Sequence, residues 1–386
     1  MEQRTIELLF VLLRSAICGM KLTEEECGQY VPEQLPELLK IADKHDLAHL
    51  LILGLKQNKL MSKEDRSNEK HILNAVFRYE WLQHAFDNLC NALEKEQIPF
   101  IPLKGSVIRA FYPEPWMRTS CDIDVLIHKA DLEKAISGLT EKYGYEFREK
   151  GWHDVSLFAP GKIHIELHYD LVEDFFELEA SNVLKRVWDM VTVKDKCTFW
   201  YEMPDDLFYL YHVTHMAKHF VSGGCGIRPF LDLWILDNLQ DADKEKRDIL
   251  LKRGKLLEFT NAARKLSQIW FNNAEYDQIS RQIENYILRG GIYGNQANRI
   301  VLQQQKKGGR LKYLLSKVFI PYDIIKYHYP ILQEYRWLLP VMEVLRWCKI
   351  IFSKHLKQTV WEIRYNNEIT NDEATNVKKF LKDIGL

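Results

Sequence analysis

Asp122-Ile123-Asp124 sets two carboxylates two residues apart, and Leu103-Lys104-Gly105-Ser106 lies a short connection upstream. In a strand the side chains alternate. Asp122 and Asp124 then point the same way, with Cα atoms roughly 6 to 7 Å apart, while Ile123, Val125 and Ile127 point the other way. Two such charges near a protein surface repel by roughly 2 kcal/mol, a cost that a bound divalent cation reverses. An edge strand with solvated acids carries the same spacing without a metal. A second stretch, Ile163-His164-Ile165-Glu166-Leu167-His168, repeats the alternation and leaves His164, Glu166 and His168 on one side. Three acids in one cleft suit a pair of Mg²⁺ ions roughly 3.5 to 4 Å apart. Polar residues facing solvent on a two-sided strand also account for Glu166 taken alone.

The glycine-serine turn adds phosphate chemistry. Gly105 lets the backbone approach an anion, and Ser106 is placed to cap the next helix and offer a hydroxyl. Lys104, Arg109 and Arg118 lie in the same stretch and can offset negative charge, although each taken singly fits an ordinary surface side chain.

These residues need a scaffold, and the hydrophobic period indicates one. Apolar residues at three- and four-residue spacing over 4–19, 34–56 and about 69–95 predict amphipathic helices. The period then changes. Residues 98–103 are a short apolar run with two prolines, which predicts a strand ending at the turn. A short helix over 107–112, a strand from 122 to 128, a helix over 130–143 and strands near 145–148, 155–159 and 162–169 follow. From Asp205 onward the pattern is helical, and the Asn- and Thr-rich residues 366–376 read as a linker before a last short helix. The expected fold is α+β: a small mixed β-sheet domain over 97–200, flanked by N-terminal helices over 1–96 and a helical domain over 201–386.

Composition sets the bounds. A 386-residue chain with 46% hydrophobic and 12% aromatic residues forms a core, which excludes general disorder. Seven scattered cysteines without zinc-type spacing read as reduced thiols and point to a cytoplasmic setting. Ile6 to Ile17 is interrupted by Glu7 and Arg14 and reads as a helix, not a signal peptide. The most apolar late run, Trp337 to Ile351, is broken by Pro340, Glu343, Arg346 and Lys349, so no transmembrane segment is expected. The net charge of −1 hides a basic stretch: residues 305–365 hold twelve Lys/Arg against four Asp/Glu. There the charges interleave with Tyr313, Tyr322, Tyr327, Tyr329, Tyr335, Trp337, Trp347 and Trp361. That list suits nucleic acid or an anionic membrane, and equally suits amphipathic helices that bury their aromatics, the reading favoured on sequence. His212, His215 and His219 share one helical face, which suits either a transition metal or satisfied core histidines bordering the cleft.

Leu103-Lys104-Gly105-Ser106, Arg118-Thr119-Ser120-Cys121-Asp122-Ile123-Asp124 and Ile165-Glu166-Leu167-His168 together resemble the nucleotidyltransferase superfamily with the DNA polymerase beta-like fold. More narrowly, they are similar to a poorly characterised bacterial nucleotidyltransferase family with an L-K-G…R…D-I-D pattern and a helical C-terminal region. The likeness covers residues 98–170 well and 205–240 loosely. It implies that Gly105 and Ser106 bind a nucleoside triphosphate, that Asp122 and Asp124 hold the metals, and that Glu166 is the third carboxylate. It also places Lys218, Arg228 and Asp232, in a His-x-x-Lys-His…Gly-Ile-Arg…Asp segment, against the nucleotide or acceptor. The spacer from Ser106 to Asp122 is slightly long, and the third acid is Glu where Asp is more common. The expected activity is metal-dependent transfer of a nucleoside monophosphate from an NTP to a hydroxyl on a small molecule or protein. Nucleic acid is not favoured as acceptor, because the chain lacks an overall basic character. The alternative is a member that keeps the fold and binds without transferring.

Overall fold

In a computed structural model the described residues are 3–386 apart from 62–63, 152, 172–178, 292–293, 323–324, 327–328, 352–355 and 370. Tyr327, one of the aromatics noted above, lies outside them. The chain begins with α1 (Gln3–Cys18), α2 (Leu35–Lys44) and α3 (Ala48–Gln57). Residues 34–56 therefore form two helices where the period predicts one. The chain reverses at Asp46, which adopts a left-handed φ of 56°, so that Leu38 and Ala42 on one side of the break and Leu50 and Leu51 on the other reach the same core.

The long helix α4 (Lys70–Lys95) leads into the sheet domain. Its strands are β1 (Phe100–Pro102), β2 (Asp122–Ile127), β3 (Glu146–Lys150), β4 (Asp154–Ala159) and β5 (Ile163–His168), in spatial order β1-β2-β5-β4-β3. Within this five-stranded sheet β2 and β5 pair in parallel, while β1 with β2, β5 with β4 and β4 with β3 pair antiparallel, as expected for a mixed sheet. Helix α5 (Gly105–Ile108) follows β1, and α6 (Leu132–Tyr143) follows β2. Alternation divides the sheet. Ile123, Val125 and Ile127 from β2 and Ile165 and Leu167 from β5 pack with Leu82, Phe86 and Leu89 of α4 and with Leu139 of α6, which leaves Asp122, Asp124 and Glu166 on the opposite face.

That opposite face meets the C-terminal helices, beginning with α7 (Asp205–Phe220), α8 (Arg228–Asp237) and α9 (Leu257–Asn272). These share one apolar core with α1 to α3 and with Leu103 and Leu126 beside the site. Phe10 of α1 stacks on Trp270 of α9, 4.2 Å between centroids. Beyond them lie α10 (Arg310–Val318), α11 (Leu339–Ile351), α12 (Leu356–Glu368) and α13 (Asn371–Asp383). The linker expected over 366–376 is thus corrected: a helix starts at Asn371. Asn and Thr are weak helix formers, but Leu381 and Ile384 are buried, and Phe380 packs 5.1 Å from the Tyr286 ring. Burial of that stripe outweighs the local propensity.

Candidate active site

The parallel pairing of β2 and β5 sets the site. Its register places Asp122 beside His164 and Asp124 beside Glu166. β1 closes the other edge, with the Leu103 amide donating to the Asp124 carbonyl at 3.0 Å, and the chain then turns sharply at Lys104, whose φ of 44° is rare for a residue with a side chain. The turn aims Lys104 Nζ at the carboxylates, 2.8 Å from Asp124 Oδ1 and 4.0 Å from Glu166 Oε2. His168 Nε2 lies 2.8 Å from the same Asp124 oxygen and 3.4 Å from Glu166 Oε2. His164 Nδ1 is 3.9 Å from Glu166 Oε1, and its other ring nitrogen meets the Ser156 hydroxyl at 2.7 Å.

Environment separates the three acids. Asp124 is buried; desolvation alone would raise its pKa, but Lys104 and His168 outweigh that and hold it well below the usual carboxylate range. Asp122 moves the other way, raised by burial and by the neighbouring Asp124 and Glu166 charges, with Lys104 only partly offsetting them. Lys104 keeps its charge despite burial, since Asp124 leads the groups that lift its pKa above the ordinary range. His168 is also raised, its hydrogen bonds to Asp124 and Glu166 overcoming burial. Two sets of donors lie close enough to share an ion: Asp122, His164 and Glu166, and Asp124, Glu166 and His168, each with all ligand atoms within 4.8 Å of one another. Glu166 belongs to both.

The predicted basic residues divide by role. Lys104, Gly105, Arg118, Lys218 and Arg228 line a cleft of about 310 Å³ with Asp122, Asp124 and Glu166. Arg109 does not line it. It is buried, with Nε donating to the Gly105 carbonyl and Nη2 to Ser120 Oγ, both at 2.8 Å, so it braces the turn from behind; burial, then Arg118, pushes its pKa down to about 10. Ser106 lines a second cavity with Arg109, and its hydroxyl is buried without a hydrogen-bond partner among the described residues. The capping role expected of Ser106 is corrected as well: the residue at the helix cap is Lys104, and no side chain caps that end. The turn enters the helix two residues earlier than the Gly-Ser pair suggests.

Arg118 and Arg228 are each tied down. Arg118 donates from Nε and Nη2 to Asp232 at 3.0 and 2.9 Å, and Tyr112 adds its hydroxyl at 2.7 Å. Arg228 reaches Asp46 at 3.2 Å and the Thr119 carbonyl at 2.9 Å. Asp46 also accepts from Arg78 and from the Thr119 hydroxyl, at 2.9 and 2.6 Å. The helices are therefore pinned by charge to the loop that enters β2.

Helix α7 forms the far wall with Tyr211, His212, His215, Lys218 and His219. The three histidines do not converge on one point: His212 Nε2 turns to the Pro229 carbonyl at 3.2 Å, while His215 and His219 meet each other at 3.2 Å. Burial first, then Lys104, holds His215 well below the usual imidazole range. Asp46 and Tyr211 carry no motif in the sequence. The signal for Asp46 was the break it makes in an otherwise even apolar period.

No curated protein and no solved structure matches the chain. A family described as "uncharacterised nucleotidyltransferase" matches residues 32–272, a span that includes every cleft residue named above. With that match running over more than half of its length, the chain belongs to this uncharacterised nucleotidyltransferase family.

Proposed function

We propose that the chain is a metal-dependent nucleotidyltransferase, moving a nucleoside monophosphate from an NTP to a hydroxyl of a small molecule or protein. The observation that carries this reading is the register of β2 against β5, which puts Glu166 within ligand distance of both aspartates' donor sets. The fit to divalent cations rests on the donors and on a stand-in: the Lys104 ammonium already occupies the space between Asp124 and Glu166. Carboxylate oxygens are the donors Mg²⁺ prefers, and Asp122, Asp124 and Glu166 would hold it. When bound, Mg²⁺ supplies charge neutralisation for the triphosphate and the leaving pyrophosphate.

The chain's own groups do the rest. Lys104, Lys218, Arg118 and Arg228 make the cleft wall cationic and orient the phosphates, with Gly105 leaving room for them at the turn. The acceptor oxygen bonds to the α-phosphorus in line as the bond to pyrophosphate breaks. Its proton passes to a carboxylate oxygen of Glu166, which Lys104 and His168 approach only to 4.0 and 3.4 Å, whereas both lie 2.8 Å from Asp124. His168 fixes the orientation of Asp124 throughout.

The test is pyrophosphate release from ATP, CTP, GTP and UTP with Mg²⁺, using pooled hydroxyl acceptors. The expected result is metal-dependent release with one nucleotide preferred, lost in Glu166→Gln. Binding of nucleotide without release under any acceptor would favour a protein that keeps the fold and transfers nothing.

A further inference from the structure

The basic stretch 305–365 reads on sequence as amphipathic helices that bury their aromatics. The structure buries only part of them. Tyr313 is enclosed, but Trp337 is 74% exposed, Phe319 63% and Leu311 70%. The exposed apolar residues fall into two stripes. Leu311, Leu315 and Phe319 recur every fourth residue along α10 and its end, and Trp337, Val341 and Leu345 do so along α11 and its lead-in. The two elements are clamped together. Arg346 Nη2 and Trp347 Nε1 donate to the Val318 carbonyl at 2.6 and 3.0 Å, and the Ile320 amide donates to Glu343 at 2.8 Å. Helix α11 thus turns Glu343 and Arg346 toward the protein and leaves Val341, Val344 and Leu345 outside, the reverse of an ordinary surface helix.

The surroundings identify the occupant. Twelve Lys/Arg against four Asp/Glu in this stretch make it strongly cationic, and Lys307, Lys312, Arg336 and Lys349 are exposed. A second copy of the chain would set like charge against like. Single-stranded nucleic acid would satisfy the charge, but bases stack on rings, and most of this face is aliphatic: Leu311, Leu315, Val341, Val344 and Leu345. The boundary between lipid headgroups and acyl chains accepts aliphatic and aromatic side chains alike, and anionic lipid complements the lysines. No helix among the described residues is long and apolar enough to cross a membrane. We propose that α10 and α11 seat the protein on an anionic lipid surface, with Trp337, Phe319 and their neighbours inserted shallowly and the flanking cations against lipid phosphates.

Flotation of the full chain with vesicles tests this, comparing phosphatidylcholine alone with phosphatidylcholine plus phosphatidylglycerol. The expected result is binding about tenfold or more stronger to the anionic vesicles, weakened by high salt, with Lys312→Gln and Lys349→Gln each costing about fivefold. Trp337→Ser combined with Phe319→Ser should abolish flotation while the melting temperature and nucleotide binding stay unchanged. Equal binding to both vesicle types, no flotation at all, or tighter binding to poly(U) than to anionic vesicles would overturn the proposal. So would a stable dimer in light scattering that the double variant dissolves, since a second copy would then cover the face.

Discussion

Arg118 and Asp232 join the loop entering β2 to helix α8, and the pair lends itself to a quantitative test. Asp232 is almost fully buried and accepts three hydrogen bonds from one guanidinium, whose Nε reaches both oxygens, plus one from Tyr112. Burial would raise the Asp232 pKa, but Arg118 holds it below the usual carboxylate range, so the pair is ionised in the folded state at neutral pH. Arg118→Met leaves a buried carboxylate with a single phenol donor, and Asp232→Asn leaves a buried cation facing an amide. Each should cost about 3 to 5 kcal/mol, most of it the desolvation of the abandoned charge. Removing both charges, as in Arg118→Met with Asp232→Leu, avoids that penalty and should cost less than the sum of the singles by about 2 kcal/mol or more. Urea unfolding followed by far-ultraviolet circular dichroism at neutral pH measures all three. Single costs under about 1 kcal/mol, or strict additivity, would refute a contribution of this contact to pinning α8 to the loop that enters β2.

Other perturbations follow from the same geometry. Burial pushes His45 and His49 down to about 4, so the folded protein holds both neutral while the unfolded chain takes up protons below about 6.5. Their contribution is complete above that pH and is lost as pH falls toward 4; at pH 5 each should cost about 2 kcal/mol, visible as a lower urea midpoint and relieved in part by His45→Leu. A Cβ on Gly105 would sit 3.2 Å from Ser120 Cβ and 3.3 Å from Arg118 Nη1, and Arg118 is pinned. Gly105→Ala should therefore destabilise by about 1 kcal/mol despite the better helix propensity of alanine, and a raised melting temperature would contradict this. Lys104→Met removes the ammonium between Asp124 and Glu166; the loss of about 2 kcal/mol in a chelator should be recovered by Mg²⁺ in thermal melts, and a loss that Mg²⁺ leaves untouched would count against a metal at these carboxylates.

Much of the face carrying the acids was legible because a period of two allows little choice. Once Ile123, Val125 and Ile127 pack inward, Asp122 and Asp124 must share the other side, and Glu166 follows from Ile165 and Leu167 by the same rule. What the period cannot state is which strands are neighbours. The parallel contact of β2 with β5 is a long-range pairing, and it is this contact that sets Glu166 beside Asp124. The Arg118–Asp232 pair spans 114 residues and Arg228–Asp46 spans 182, so neither leaves a local trace. Ser106 was misplaced for a local reason instead: the positive φ at Lys104 rotates the turn, aiming the lysine into the cleft and the serine hydroxyl behind it. The exposed stripe on α10 and α11 was hidden because aromatic and basic residues in alternation describe a buried face and a bare one equally well.

If Asp122, Asp124 and Glu166 bind a metal-nucleotide complex, nucleotide affinity depends on both Mg²⁺ and these carboxylates. Isothermal titration of each NTP, with Mg²⁺ and then with a chelator, tests it most directly. The prediction is saturable binding of at least one NTP that requires Mg²⁺ and disappears in Asp122→Ala plus Asp124→Ala, with the fold intact by circular dichroism. Failure of all four nucleotides to bind in the presence of Mg²⁺, or binding that the double substitution leaves unchanged, would contradict it.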